Sequence, residues 1–305
     1  RKAGGLKKTE HNLLGKRIRM INILILSAGT RDKVVQYFKE ALAGKGKVIA
    51  TDCSPYAPAI YEADEYVLVP RITEPGYLDK ILEICREKQI TGVLSLIDPE
   101  LSLLADNKER FLEVGTVPIV PDAKQVDICF HKYAMYEACK ALGFATGRCF
   151  LDRKEFYHAV ENGELTYPVF VKPESGSASL DIHMAQDQET VEFLCSREDG
   201  LMIQEFMNGQ EYGADVYIDM LSGEVVSIFV KKKLKMRAGE TDKAESFREE
   251  KLFALITDFV KKMGFRGIID IDLFEIDGNW YISEVNPRFG GGYPHAWALS
   301  LIHIS

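Results

Sequence analysis

No stretch of the chain approaches the roughly 18 consecutive apolar residues that a membrane-spanning helix needs. The early apolar run at residues 21–26 is strand-sized and interrupted by Asn22. The basic stretch 1–19 is followed by no extended apolar segment, so a secretory leader is not expected. Cysteine is sparse: the six (Cys53, Cys85, Cys129, Cys139, Cys149, Cys195) form no C-x-x-C pair, and no histidines form H-E-x-x-H. Neither a disulfide framework nor a zinc site is therefore expected, and dispersed thiols suit a reducing, cytoplasmic setting. Excess positive charge is also missing: 38 Lys and Arg stand against 46 Asp and Glu, a net of -8. That balance disfavours a general nucleic-acid partner. Absent too are the P-loop pattern and G-x-G-x-x-G.

What remains is a 305-residue chain, 46% hydrophobic, large enough for two domains. Strands are expected at 20–26, 47–52, 92–97 and 117–120, with helices over 34–42, 77–89 and 98–113; Asp98-Pro99 reads as the cap of the last. Alternating strands and helices predict an α/β, doubly wound parallel sheet over residues 20–120. Residues 121–298 read as α+β: a helix at 132–142, strands at 167–172 and 202–206, a hairpin from 212–219 and 224–232, a helix over 244–263, and a hairpin from 268–276 and 280–286. Residues 1–19 are expected to be disordered or non-native. Residues 299–305 are expected to be a non-native tail, with the natural chain continuing beyond 298.

The last hairpin carries the chemistry. If its turn has three residues, with Gly278 at positive φ, Asp272 faces Glu284 and Asp270 faces Asn286, all on one face. Gathered oxygens suit Mg²⁺ held by one or two carboxylates plus substrate phosphates; a solvated polar face is the alternative. Lys172 ends an apolar strand, and a small-residue loop follows: Glu174, Ser175, Gly176, Ser177 and Ser179. Its amides and hydroxyls can wrap a phosphate, though an ordinary turn reads the same way. The strand with Gln204, Glu205, Phe206 and Met207 offers backbone groups to an adenine edge, with Glu211 near ribose hydroxyls. The basic run 231–237, in an acidic protein, fits a polyphosphate ligand better than a nucleic acid.

Taken in order, these pieces resemble the ATP-grasp superfamily, and most closely its carbamoyl-phosphate synthase large-subunit-like, single-copy members. The most specific stretch is Ser283-Glu284-Val285-Asn286-Pro287-Arg288-Phe289-Gly290-Gly291-Gly292. The resemblance covers about residues 20–298. It implies a pre-ATP-grasp sheet followed by an ATP-grasp fold of two α+β subdomains. It implies that Lys132 and Lys172 contact ATP phosphates under a flap at 175–179, and that Gln204 and the backbone of Glu205 and Met207 meet adenine. It further implies ribose at Glu211 and Mg²⁺ (Mn²⁺ as the alternative ion) at Asp272, Glu284 and Asn286, with Asp270 an alternative to Asp272. Arg288 would meet the γ-phosphate or an acyl phosphate; Lys233, Arg237 and Lys243 are candidates for the transferring phosphate.

The implied activity is ADP-forming ligation: a carboxylate activated as an acyl phosphate, then captured by an amine or similar nucleophile. The substrates would be small molecules, with neither nucleic acid nor membrane as partner, and a homodimer is compatible with the family. Carbamoyl phosphate itself is not the expected product, because this chain has one ATP-grasp half. Two other readings stand beside it. One is an ATP-binding regulatory protein without turnover. The other is a Rossmann oxidoreductase, resting on residues 27–32 and Asp52. Residues 27–31 and Asp98 to Glu100 are candidate acceptor-cleft positions.

Overall fold

The structure is a computed structural model that describes residues 20–176, 181–237 and 240–300. The first sheet is built from β1 (Asn22–Leu26), β2 (Val48–Asp52), β3 (Glu65–Leu68), β4 (Ile90–Ser95) and β5 (Val117–Pro118). Its order is β3-β2-β1-β4-β5, all parallel, with the reversal of order between β1 and β4. Helices α1 (Asp32–Leu42), α2 (Tyr77–Glu87), α3 (Asp98–Asp106) and α4 (Lys108–Glu113) connect the strands. Leu24 and Leu26 pack into one apolar cluster and Ile23 and Ile25 into another. The central strand is thus buried on both faces, as a doubly wound sheet requires.

Four parts of the expected outline change. Strand β3 was not foreseen: it is a short edge strand whose Tyr66 and Leu68 stay exposed, so its burial signal is weak. The helix expected over 98–113 is two, α3 and α4, meeting at Asn107. Asp98 is not a cap; Ile97 holds that position with no side-chain capping bond, and Asp98 lies within the first turn. Residues 244–247 belong to a strand, not a helix. They pair with the strand before them, and the charged run 240–245 has no helical apolar spacing.

Beyond α5 (Ala123–Phe130) and α6 (Lys132–Ala141) come two antiparallel sheets. The smaller, in order β6-β9-β7-β8, comprises β6 (Cys149–Phe150), β7 (Val169–Pro173), β8 (His183–Ala185) and β9 (Leu201–Glu205). Helices α7 (Arg153–Glu161) and α8 (Gln188–Arg197) close its core around Phe156, Val169 and Val191. The larger, in order β12-β11-β10-β13-β14, comprises β10 (Gln210–Ile218), β11 (Val225–Arg237), β12 (Glu240–Phe247), β13 (Gly267–Ile276) and β14 (Asn279–Asn286). Helix α9 (Glu250–Met263) presents Leu252, Ile256, Phe259, Val260 and Met263 to one face of that sheet. Each such burial is worth about 1.5–3 kcal/mol. Helix α10 (Tyr293–Ser300) returns to the first sheet, stacking Trp297 on Tyr37 of α1 with centroids 4.4 Å apart.

Candidate functional site

The face of the larger sheet opposite α9 is where charge collects. Along β13 Ile269, Ile271 and Leu273 are fully buried in the core, so Asp270 and Asp272 project to the other side. Val285 and Ile282 of β14 likewise face the core, leaving Glu284 and Asn286 beside the aspartates. The register pairs Asp272 with Glu284 and Asp270 with Asn286, as expected, but by another route. The turn has two residues, Asp277 and Gly278, at φ 50° and 77°, the left-handed pair of a type I′ hairpin. That turn alone would have set Glu284 opposite Ile271. An extra residue in β14, between Ile282 and Glu284, shifts the register and restores the cluster.

Two lysines of β11 lie across this face. Lys233 Nζ donates to Asp272 Oδ1 and to Glu211 Oε1, each at 2.6 Å. Lys231 Nζ donates to Asp215 Oδ2 at 2.7 Å and is 3.9 Å from Asp270 Oδ1. Both cross β10 at Gly213, where a Cβ would lie 2.8 Å from Lys231 Cε and 3.2 Å from Lys233 Cε. The glycine is therefore a gap through which the lysines reach β13. The carboxylates beside Lys233 hold its ammonium above the ordinary lysine range, against the effect of burial. Asp215 and Gly213 are not expected from the sequence, and Lys231 is expected only as part of the basic run 231–237. The register sets Lys231 opposite Gly213 and Asp215 opposite Phe229, so Glu211, Gly213 and Asp215 share a face with Lys231 and Lys233, a relation visible only once the β10–β11 pairing is known.

Asp270 and Asp272 differ in surroundings. Gly290 roofs Asp270 so closely that a Cβ there would fall 2.5 Å from the carboxyl carbon. Burial, then Asp215 and Asp272, push the Asp270 carboxyl up to about 7. Asp272 is open enough to keep a 23% exposed side chain, which favours it over Asp270 as a ligand for an incoming cation. Burial, then Asp272, raise Glu284 above the usual carboxylate range, while Lys172 and Lys132 pull the other way. Among the described residues the Glu284 carboxylate has no hydrogen-bond donor. Among those residues no group of three or more His, Cys, Asp or Glu side chains is arranged to hold a metal ion. The pair Asp272–Glu284 with the Asn286 amide nevertheless fits a divalent cation chemically. It offers hard oxygens, among them those of a carboxylate with no donor among the described residues.

Glu284 also borders a narrow cavity of about 10 Å³, room for about one water, lined by Lys132, Lys172, Gln204 and Cys149 among others. Lys172 is 8% exposed, and burial pulls its ammonium below the ordinary range. Gln204 is buried beside it. The bond from Ile282 N to Ala145 O, 2.9 Å, ties β14 to the link between α6 and β6, next to the cavity-lining residues Thr146 and Ser283. Lys132 Nζ donates to Gly176 O at 2.7 Å, at the root of the serine-glycine loop.

Several expected contacts are placed elsewhere. Glu174 turns toward α6: His131 Nδ1 is 2.8 Å from its Oε2, and Tyr133 N donates to Oε1 at 3.3 Å. Ser175 bridges to His131. Ser177 and Ser179 lie outside the described residues. The Glu205 amide already donates to Arg148 O at 2.9 Å, so it is not free for an adenine edge. Phe206 packs on Phe170, centroids 5.5 Å apart, and Met207 is buried against Gly147. Arg237 and Lys243 are exposed along the β11–β12 hairpin, opposite Glu240 and Lys235, and do not join the cluster. Arg288 does not reach toward the lysines but toward Asp98 of α3, with Nε at 3.0 Å from Oδ1 and Nη2 at 2.9 Å from Oδ2. Its Nη2 also donates to Asn286 Oδ1 at 3.3 Å.

Residues 23–120 match the PylC-like N-terminal domain model, and residues 129–292, more than half the chain, match the ATP-grasp domain model. Among curated proteins, a D-alanine–D-alanine ligase of Ruminiclostridium cellulolyticum is 28% identical over 184 residues, 50% of this chain and 49% of that one. A carbamoyl phosphate synthase large chain of Clostridium botulinum is 22% identical over 253 residues, 76% of this chain and 23% of that one. The chain thus spans about half of the first relative and about a quarter of the second. Among solved structures, an N5-carboxyaminoimidazole ribonucleotide synthetase in complex with ADP superposes with TM-score 0.70 at 16% identity, covering 89% of this chain and 71% of that one. An L-amino acid ligase from Bacillus licheniformis gives 0.67 at 19%, covering 91% and 69%. With the polar face, the buried strand lysine and the Glu284-Val285-Asn286-Pro287-Arg288 run all lying inside the matched region, this chain belongs to the ATP-grasp family.

Proposed function

We propose that this chain is an ATP-dependent ligase that activates a small-molecule carboxylate and passes the acyl group to an amine or similar nucleophile. The observation that carries the reading is the convergence of Lys172, Lys132, Lys233, Asp272, Glu284 and Asn286 at the junction of the two antiparallel sheets. Phosphoryl transfer needs positioning and charge neutralisation rather than covalent help from the protein, and these are the residue types assembled.

In this reading Lys172, buried and poor in hydrogen-bond partners, meets phosphate oxygens from beneath. Lys132 leaves Gly176 O for a second phosphate contact. Gln204 accepts from the adenine amino group. Asp272, Glu284 and Asn286 would hold Mg²⁺, which would supply charge neutralisation that lowers the repulsion between the phosphates and an anionic attacker. The substrate carboxylate oxygen attacks the γ-phosphorus, the bond to the β–γ bridging oxygen breaks, and ADP leaves. The amine then attacks the acyl carbon and phosphate departs. The acceptor side would lie at the carboxyl ends of β1 and β4, near residues 27–31. A cytoplasmic location and a homodimer accompany this reading. No helix among the described residues is long and apolar enough to cross a membrane.

The test is a screen of carboxylate and amine pools for Mg²⁺-dependent ADP release, run on the protein and on Glu284→Gln. Release by the former and none by the latter is expected. Tight ATP binding with no release from any pool would favour the regulatory reading instead.

A further inference from the structure

We propose that Asp98 is a positioning residue that fixes Arg288 and, through the first turn of α3, joins the phosphate end of the ATP-grasp site to the loop after β1. The inference rests on the function proposed above. Arg288 and Asp98 are 190 positions apart in sequence, yet Nε contacts both Asp98 oxygens at 3.0 and 3.1 Å while Nη2 adds a third contact at 2.9 Å. The side chains are only 12% and 10% exposed, so water competes little with these charge-assisted bonds. Nη1 donates to Phe289 O at 3.2 Å, and the second Nη2 hydrogen goes to Asn286 Oδ1. Of five guanidinium hydrogens, one on Nη1 remains uncommitted among the described residues. Arg288 is therefore a clamped group that presents a single donor edge, not a mobile arm.

The same helical turn holds the other end. Glu100, 1% exposed, accepts from Ser27 Oγ at 2.6 Å, from Ser95 Oγ at 2.5 Å and from the Tyr77 hydroxyl. Ser27 has φ 45°, a left-handed conformation uncommon for a non-glycine residue, and it opens the loop that leads into α1. That loop lies at the reversal of strand order, where open parallel sheets bind ligands. One helical turn thus carries Asp98 to Arg288, which in turn holds Asn286, and Glu100 to Ser27. A shift of Asn286 and Arg288 when nucleotide binds is delivered to the loop after β1 through Asp98.

The experiment uses the full chain, with MgADP titrated by calorimetry and amide hydrogen exchange followed by mass spectrometry. In the wild type, MgADP should slow exchange in peptides covering residues 27–35 by about fivefold or more. Asp98→Asn should keep MgADP affinity within about threefold and keep protection around Lys172, yet lose the response at 27–35; Asp98→Glu should recover part of it. Asp98→Asn transmitting the full response would overturn the proposal. So would a wild type that binds MgADP without any change at 27–35, or an Asp98→Asn protein whose exchange rises everywhere, which would make the pair a fold staple only. A wild type that binds no MgADP would instead overturn the parent reading, a result the isotherm reports separately.

Discussion

Lys233 reaches Asp272 across an intervening strand: its Nζ is 2.6 Å from Oδ1, and Gly213 of β10 lies between them. The lysine stem fills the space where a side chain of β10 would have stood. The contact neutralises one of the two carboxylates that face each other on β13 and β14, leaving Glu284 as the unmatched anion.

Lys233→Met removes the only hydrogen-bonding partner Asp272 has among the described residues and strands Glu211 with it. Breaking a buried ion pair by removing one member costs about 3–5 kcal/mol. With Asp272 and Glu211 still 23% and 28% exposed, the lower end applies. A lowered thermal midpoint together with loss of Mg²⁺-dependent ADP formation is expected; unchanged turnover in a folded variant would remove Lys233 from the site.

Gly213→Ala places a methyl 2.8 Å from Lys231 Cε. Overpacking of this kind costs about 1–3 kcal/mol. Since the displaced atoms are site lysines and not core side chains, ADP formation should fall by far more than the loss of stability explains. Denaturant melts set beside turnover will separate the two effects.

Glu284→Gln should have opposite effects on stability and function. Burial and Asp272 raise the Glu284 carboxyl, so its ionisation weakens the metal-free fold as pH rises from the ordinary carboxylate range through the raised value. Glutamine cannot ionise. The variant should melt higher than the wild type in EDTA at neutral pH, and Mg²⁺ should no longer raise its midpoint. A lower midpoint in EDTA would contradict the burial argument.

Glu174→Ala tests the support of Lys132. Glu174 holds His131 and the Tyr133 amide, the residues on either side of Lys132. Losing these bonds, both of them to the Glu174 carboxylate, should weaken ATP binding by about tenfold or less, with the fold retained. Lys172→Ala should weaken it more, because Lys172 lies within the cavity. Calorimetry with ATP compares the two directly, and equal affinity for Lys172→Ala and the wild type would exclude Lys172 from the nucleotide site.

Much of the outline was legible in local pattern. Period-two side-chain direction put Asp270 with Asp272 on one face of β13 and Glu284 with Asn286 on one face of β14, without tertiary information. The turn was misjudged: Asp277 and Gly278 make a two-residue loop, and the register is recovered only by the extra residue near Ser283. Local composition does not reveal which strand takes an extra residue. Residues 244–247 were misjudged for a related reason. A charged strand with little apolar content gains its place from pairing with β11, and pairing is nonlocal.

By itself the sequence determined the alternating α/β order of the first sheet, the pairing of Asp270 with Asp272 and of Glu284 with Asn286 on one side of their own strands, and the lysine before the serine-glycine loop. All of these follow from side-chain periodicity and turn chemistry within a few residues. Only the tertiary structure decided that Lys231 and Lys233 pass over Gly213, that Gly290 roofs Asp270 and leaves Asp272 open, and that Arg288 is held by Asp98 from the first sheet. Those relations depend on which strands and helices become neighbours. That choice is made by burial of the whole apolar surface, a sum over distant residues that no local stretch of sequence contains.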